Sequence, residues 1–198
     1  MPNENPNQNE AKEKKVLLPH VVTRVFSSTE QGEKDAADFV RKELEKRYPS
    51  MDDFEREGLF QGFKEIFSNA LYHGNLGLKG QVGSYIGTDS PIPWNEKSIV
   101  VTLKLSSKQF SVSVQDEGKG FKVDKVRAGI AAVTGEDVLS AHHRGLVFIR
   151  QWQYGSPAKV EFVKDEKGNI HGTRVTLTRD FNVELPILDD VTDYIVEA

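Results

Sequence analysis

Apolar residues recur at helical spacing in two stretches in the first third of the chain. In the first stretch, Ser28 or Thr29 is a suitable N-cap. The pattern predicts a helix that runs to about Tyr48, where Pro49 and Ser50 interrupt it. The expected inner face of this helix carries Ala36, Ala37, Phe39, Val40 and Leu44.

The second stretch predicts a helix that begins at Asp52 or Asp53 and ends near Gly74. Within it, Glu65 and Asn69 are four residues apart, so an acid and an amide share one face of the helix. Carboxylate and carboxamide oxygens can bind a hard cation such as Mg²⁺, or orient a nucleophile. The apolar positions expected to pack against a sheet are Phe63, Ile66, Phe67, Ala70 and Leu71.

Alternation of apolar and polar residues predicts strands in the rest of the chain. The predicted strands are Val21–Ser27, Ser98–Ser106, Gln109–Gln115, Lys159–Lys164 and Thr173–Thr178. Residues 145–153 are interpreted as a short buried helix between them. Because strands and helices do not alternate, the sequence predicts an α+β fold in two layers. Helices would cover one face of a mostly antiparallel sheet.

Composition divides the chain into a domain and its flanking segments. Residues 1–15 are polar and are expected to form a disordered tail, and residues 183–198 form an acidic C-terminal tail. Residues 16–182 are expected to be one domain. Within it, residues 77–97 are rich in glycine and proline and are interpreted as a long loop.

Bulk composition excludes several classes of protein. Of 198 residues, 37% are apolar, which is enough for a core at this size. The formal net charge is −4, so bulk electrostatics do not favour nucleic-acid binding. The chain has no cysteine, and therefore no disulfide or thiol nucleophile. Without a signal-peptide pattern or an apolar run of about 20 residues, we expect a cytoplasmic protein with no membrane contact.

A glycine loop with a carboxylate at its start follows the third predicted strand, over residues 116–121. Asp116 can accept a hydrogen bond from an exocyclic amine such as that of adenine, and Gly118 and Gly120 permit close backbone approach. A simple surface turn is the alternative interpretation of this loop. It is not a Rossmann fingerprint, because the third glycine is absent, and it is not a P-loop.

One further segment carries candidate anion-binding chemistry. The residues His142, His143, Arg144, Gly145 and Leu146 lead into the predicted helix over residues 145–153, where backbone N–H groups and the charge of Arg144 or a neighbouring histidine favour phosphate. An ordinary capped helix with exposed basic residues is the alternative. The segment G-T-R-V, which opens the last predicted strand, indicates only a hairpin strand when taken alone.

Taken together, four motifs resemble the nucleotide-binding boxes of the GHKL ATPase superfamily. They are E-x-x-x-N-A-x-x-H-G-N over residues 65–75, D-x-G-x-G-F over 116–121, R-G-L over 144–146 and G-T-x-V over 172–175. The order and spacing match across roughly residues 20–180. The H-G-N ending and the short R-G-L box are most similar to the branch of anti-sigma-factor serine/threonine kinases.

This resemblance implies a Bergerat-type α/β sandwich with a mixed, mostly antiparallel sheet that binds Mg·ATP between helices and sheet. Glu65 would be the catalytic residue, acting as general base or orienting the acceptor, and Asn69 would hold Mg²⁺. Asp116, supported by Thr173, would bind the adenine amine, and residues 122–143 would form the ATP lid. The other implied nucleotide-site residues are His73, Gly118, Gly120, Phe121, Arg144, Gly145 and Leu146.

The resemblance also implies partners. The protein would bind a sigma factor and phosphorylate a small anti-sigma-factor antagonist, and a homodimer is a reasonable expectation. An ATP-dependent interaction module without phosphotransfer is the alternative, and a histidine-kinase-type catalytic domain ranks below it. Two features differ from the family pattern. The loop over residues 77–97 is longer than expected, and His143 stands where a small residue is common.

Overall fold

The computed structural model describes residues 18–78, 92–120 and 158–182. These residues form five strands, two α-helices and one π-helical segment. In chain order the elements are β1 (His20–Ser28), α1 (Glu30–Arg47), α2 (Asp53–Ser68), the π-helical segment (Asn69–Asn75), β2 (Asn95–Leu105), β3 (Gln109–Gln115), β4 (Lys159–Lys164) and β5 (Ile170–Asp180).

The five strands form one sheet in the order β1-β2-β3-β5-β4. Every pairing between these strands is antiparallel. The predicted α+β class with a mostly antiparallel sheet is therefore confirmed, whereas the expectation of a mixed sheet is not met among the described strands. Tight turns connect β2 to β3 and β4 to β5, and such turns reverse the direction of the chain.

Helix α1 begins where its sequence supplies a cap. Thr29 has extended backbone angles, and its Oγ1 accepts a hydrogen bond from the N–H of Gly32 at 3.0 Å. Of the two predicted caps, Thr29 is therefore the one used. The helix ends at Arg47, immediately before Tyr48, as the interruption at Pro49 predicts.

The second predicted helix is two helical segments in the structure. Asp52 caps α2, because its Oδ1 accepts from the N–H groups of Phe54 and Glu55 at 2.9 and 3.3 Å. The α-helical pattern stops at Ser68, and the chain continues as a π-helix to Asn75. Apolar spacing over two turns does not distinguish these two helix types, so the sequence predicted one continuous helix.

The core lies between the helices and one face of the sheet. Alternate residues of each strand face the helices, and the opposite face carries hydroxyl pairs such as Thr23 with Thr102 and Ser113 with Thr176. The buried strand residues include Ile99, Val101, Leu103, Leu105, Phe110, Val112, Val114 and Leu177. The buried helix residues include Ala36, Phe39, Val40, Leu44, Leu59, Phe60, Phe63, Ile66, Phe67, Ala70 and Leu71.

Two strands differ from the prediction by more than one residue at an end. Strand β2 begins at Asn95 rather than Ser98, so the predicted loop over residues 77–97 ends three residues too late. Asn95 pairs with Ser28 across a register shift, and its polar neighbours hide this pairing from an apolar pattern. Strand β5 spans Ile170–Asp180, which is longer at both ends than Thr173–Thr178.

Several predictions fall outside the described residues. They are the tail over 1–15, the ATP lid over 122–143, the helix over 145–153 and the acidic tail over 183–198. None of the helices in the described ranges is long and apolar enough to cross a membrane.

Candidate functional site

Glu65 and Asn69 lie at the junction between α2 and the π-helical segment. The backbone N–H of Asn69 donates to the carbonyl of Glu65, so the two residues are one helical turn apart, as predicted. Glu65 is exposed by surface area, but the helix surface removes water from one side of its carboxyl. This partial desolvation raises the pKa of Glu65, and the ammonium of Lys64 acts in the opposite direction.

A carboxylate from α1 holds this junction in place. Glu33 accepts hydrogen bonds from the hydroxyls of Tyr72 at 2.9 Å and Ser68 at 3.3 Å. Desolvation, together with the Glu33 carboxylate, raises the pKa of Tyr72 to about 12, so its hydroxyl stays protonated as a donor. The ring of Trp94 lies 6.3 Å from the ring of Tyr72 and packs the end of the long loop against the π-helical segment.

Asp116 occupies the end of β3 and is almost fully buried, with 5% of its surface exposed. Its Oδ1 accepts hydrogen bonds from the N–H groups of Gly118 at 2.7 Å and Thr173 at 3.1 Å. Its own N–H donates to the carbonyl of Thr173 at 2.9 Å. Burial raises the pKa of Asp116, while these two accepted hydrogen bonds and the charge of Lys97 act to lower it.

Three glycines bring backbone into direct contact around Asp116. A Cβ added at Gly74 would lie 2.6 Å from the Cγ and the Oδ2 of Asp116. A Cβ at Gly172 would overlap the carbonyl oxygen of Asp116, and one at Gly118 would lie 2.6 Å from the carbonyl oxygen of Gly74. Each of these positions therefore requires glycine, because no side chain fits the space.

Asn75 joins the π-helical segment to three other parts of the fold. Its side-chain amide donates to the Oγ of Ser28 at 2.7 Å and to the carbonyl of Ser98 at 2.9 Å. Its Oδ1 accepts from the N–H of Glu117 at 2.7 Å. The side chain is buried, with 4% of the residue exposed. The sequence analysis assigned no role to Asn75. Its position as the last residue of the H-G-N motif could have identified it as a candidate.

The other residues predicted for the site differ in their surroundings. Thr173 is buried beside Asp116, with 3% of its surface exposed. Gly120 has a φ of 71°, a conformation that favours glycine at the end of the loop. His73 is exposed, and its Nδ1 lies 2.9 Å from the carbonyl of Leu78. Phe121, Arg144, Gly145 and Leu146 lie outside the described residues.

The structure thus brings three separate sequence motifs together. Three segments meet around the buried carboxylate of Asp116: the end of the H-G-N motif, the glycine loop after β3 and the start of β5. The Oδ1 of Asp116 is occupied by backbone donors, and no described residue donates a hydrogen bond to its Oδ2. A carboxylate with free acceptor capacity at Oδ2, surrounded by closely packed glycines, suits a ligand with an amine donor.

The described residues contain no group of three or more His, Asp or Glu side chains placed to hold a metal ion. Asn69, half-buried at the helix junction, is the oxygen donor that the resemblance assigns to Mg²⁺. In comparisons with known proteins, the chain matches no protein-family model and no curated protein.

Proposed function

We propose that this protein is an ATP-binding serine/threonine kinase of the anti-sigma-factor type. The observation that carries the proposal is the meeting of three motifs, far apart in sequence, around the buried carboxylate of Asp116. A surface turn, the alternative interpretation of the glycine loop, does not need a buried acid or glycines packed against it. The resemblance of the motifs to anti-sigma-factor kinases supports the choice of this kinase type among ATP-binding proteins.

The orientation of the Asp116 carboxylate favours adenine as the proposed base. The N–H groups of Gly118 and Thr173 fix the carboxylate through Oδ1, so its orientation is set before a ligand arrives. Oδ2 would accept from the exocyclic amine of adenine, and a guanine carbonyl at the same place would face the acid without a donor. The site therefore discriminates between bases through one acceptor.

Magnesium fits this residue set in a limited way. Mg²⁺ keeps several waters and commonly takes one or two protein oxygens together with phosphate oxygens. A single carboxamide, that of Asn69, is compatible with this habit. When bound, ATP would supply the phosphoryl group, and Mg²⁺ would neutralise the charge of the phosphates.

Glu65 is the residue that separates a kinase from a nucleotide-binding module. It lies one turn before Asn69, on the same face of the helix end. In the proposed mechanism its carboxylate would accept the proton of the serine or threonine hydroxyl as that oxygen bonds to the γ-phosphorus. The bond between this phosphorus and the β–γ bridging oxygen would break, and ADP would leave. The raised pKa of Glu65 makes it a stronger base than an ordinary glutamate.

The proposed partners follow from the same assignment. The protein would bind a sigma factor in the cytoplasm and phosphorylate a small antagonist protein of the STAS type. This partner switching would regulate transcription. A homodimer is part of the proposal, because it belongs to the family resemblance.

Calorimetric titration with Mg·ATP and Mg·GTP tests the nucleotide site. Wild type should bind ATP in preference to GTP, and Asp116→Asn should raise the Kd for ATP by about tenfold to a hundredfold, as expected for loss of a charged hydrogen bond. Glu117→Gln is the matched control, because this neighbouring acid is exposed and the variant keeps Asp116 intact. Equal, unchanged affinities in the two variants would contradict the site.

Transfer of labelled phosphate from ATP to candidate antagonist proteins tests the chemistry. Glu65→Gln should keep the wild-type Kd and lower the transfer rate by about a hundredfold or more. Glu57→Gln, another exposed acid of α2, should transfer at the wild-type rate. Tight ATP binding by wild type without transfer to any antagonist would instead support an interaction module.

A further inference from the structure

The side chain of Asn75 links four segments of the fold through one buried amide. The two hydrogens of its Nδ2 point to Ser28, at the end of β1, and to the carbonyl of Ser98 in β2. Its Oδ1 points to the N–H of Glu117 in the glycine loop. Ser28 has no exposed surface and Asn75 has 4%, so water does not compete for these bonds.

The orientation of this amide is determined by its partners. If the amide were flipped, its oxygen would face the carbonyl oxygen of Ser98 and its nitrogen would face the N–H of Glu117. Both contacts would be repulsive, and a buried N–H without an acceptor is costly. The two strands therefore aim Oδ1 at the glycine loop.

A second amide fixes the backbone of Asn75. The Nδ2 of Asn95 donates to the carbonyl of Asn75 at 2.9 Å, and the Oδ1 of Asn95 accepts from the N–H of Lys97 at 3.1 Å. The start of β2 thus holds the last residue of the π-helical segment from outside. Asn75 is secured on both its backbone and its side chain, which makes it a rigid support.

The loop depends on this support because its other contacts with the helix end are steric. Gly118 touches the carbonyl of Gly74, and Gly74 touches the carboxylate of Asp116, but these are packing contacts without a hydrogen bond. The bond from Glu117 to Asn75 is the directional link between the loop and the helix end. Releasing it would let residues 117–120 move away from Gly74.

We infer that Asn75 is a positioning residue that holds the glycine loop over residues 116–120 in its ligand-binding geometry and so sets the affinity for the adenine nucleotide. The inference deepens the proposed function and rests on it. Asn75 touches neither base nor phosphate in this role. It acts through the N–H of Glu117. Removing the side chain of Asn75 would change the position of the Asp116 carboxylate relative to the ligand.

Amide hydrogen exchange of the free protein tests the positioning directly. In wild type the Glu117 amide should exchange slowly. In Asn75→Ala it should exchange at least tenfold faster, while amides of the β2 core keep their protection. Ser28→Ala is the matched control, because it removes a partner of the same buried amide but leaves the bond to Glu117. Its Glu117 amide should exchange within twofold of wild type.

Calorimetric titration of the same proteins with Mg·ATP completes the test. Asn75→Ala should raise the Kd about tenfold and Ser28→Ala less than twofold, with thermal unfolding showing that both are folded at the assay temperature. Asn95→Ala removes the bond that holds the carbonyl of Asn75 and leaves its side chain unchanged, so this variant should also exchange the Glu117 amide faster and bind Mg·ATP more weakly than wild type. If Asn75→Ala does not fold, Asn95→Ala and the wild-type exchange rate carry the decision.

The outcomes separate this inference from the proposed function. Fast exchange of the Glu117 amide in wild type, or equal exchange in wild type and Asn75→Ala, overturns the inference. Wild-type Kd in a folded Asn75→Ala also overturns it, as do wild-type exchange and wild-type Kd in a folded Asn95→Ala. Absence of ATP binding by wild type, with the expected exchange pattern, overturns the proposed nucleotide function and leaves Asn75 as the support of the loop alone.

Discussion

Gly74 lies where the helix end meets the carboxylate of Asp116, and the contact leaves no room for a methyl group. Gly74→Ala would place a Cβ 2.6 Å from Cγ and Oδ2 of Asp116, so the acid or the helix end must shift. We expect a destabilisation of about 1–3 kcal/mol, typical of overpacking, together with a loss of ATP affinity. Chemical denaturation and calorimetric titration measure the two effects.

Gln61→Ala, on the exposed face of α2, is the control for this substitution. It should change the free energy of unfolding by less than about 0.5 kcal/mol and leave ATP affinity unchanged. Wild-type affinity in Gly74→Ala would show that the close contact with Asp116 does not matter for binding.

Glu65 gives the proposed phosphotransfer a defined pH dependence. Only the ionised carboxylate can accept a proton, so the rate at saturating Mg·ATP should fall as pH decreases through its pKa, which partial desolvation raises above 4.5. Lys64→Gln removes the charge that lowers this pKa, and its rate profile should therefore shift to higher pH. A profile that does not move in Lys64→Gln would argue against Glu65 as the base.

At the level of residues, the sequence singled out Asp116 as a candidate but did not reveal its contacts. Asp116 stands directly after a strand and before two glycines, and this local pattern was enough to suggest a ligand carboxylate. The contacts of Asp116 with Gly74 and Gly172 join residues far apart in sequence, so no local pattern contained them. Asn75 was missed for the same reason, because its partners lie in β1, β2 and the glycine loop.

At the level of elements, Asp52 determines where α2 begins. Asp52→Ala removes the acceptor for the N–H groups of Phe54 and Glu55 and should cost about 0.5–2 kcal/mol. In a chain of this size, each kcal/mol lowers Tm by roughly 2–4 °C. Asp53→Ala is the control, since its exposed carboxylate does not cap the helix, and it should lower Tm less. Equal shifts would assign the effect to helix-dipole charge instead.

Helix starts were predictable because capping is a local property. Thr29 and Asp52 were among the candidates named from residue type alone, and both cap their helices. The end of the second helix was not predictable in the same way. The chain becomes a π-helix after Ser68, and this segment contacts Glu33, β1 and β2, which are distant in sequence and leave no trace in the apolar pattern.

At the level of the whole molecule, stability comes from the layer between helices and sheet. Leu103 lies in the centre of β2 with no exposed surface, and Leu103→Ala should cost about 2–5 kcal/mol, because truncation leaves a cavity. Val21→Ala, on the open face of β1 with 60% exposure, should change stability by less than about 0.5 kcal/mol. Urea denaturation measures both, and equal costs would contradict the two-layer arrangement.

The layer arrangement followed from the order of predicted strands and helices, but the strand order did not. Two hairpins were predicted, and either strand of the second hairpin could have paired with β3. The structure places β5 there, with Val112 opposite Leu177, so the buried sides of both strands face the helices. This choice brings the start of β5 beside the end of β3 and so creates the Asp116–Thr173 contact.

The π-helical segment has a consequence for how the first motif tolerates change in length. Its hydrogen bond from Leu76 to Leu71 spans five residues rather than the four of an α-helix, so each turn contains an additional residue. Because a π-turn is an α-turn with one residue inserted, an α-helix would reach the same direction with one residue fewer. The same seven residues in α-helical form would instead rotate Gly74 and Asn75 past the acid and the loop. The length of the motif is therefore matched to this helix type, and one more inserted residue at this point would act like the loss of both contacts together.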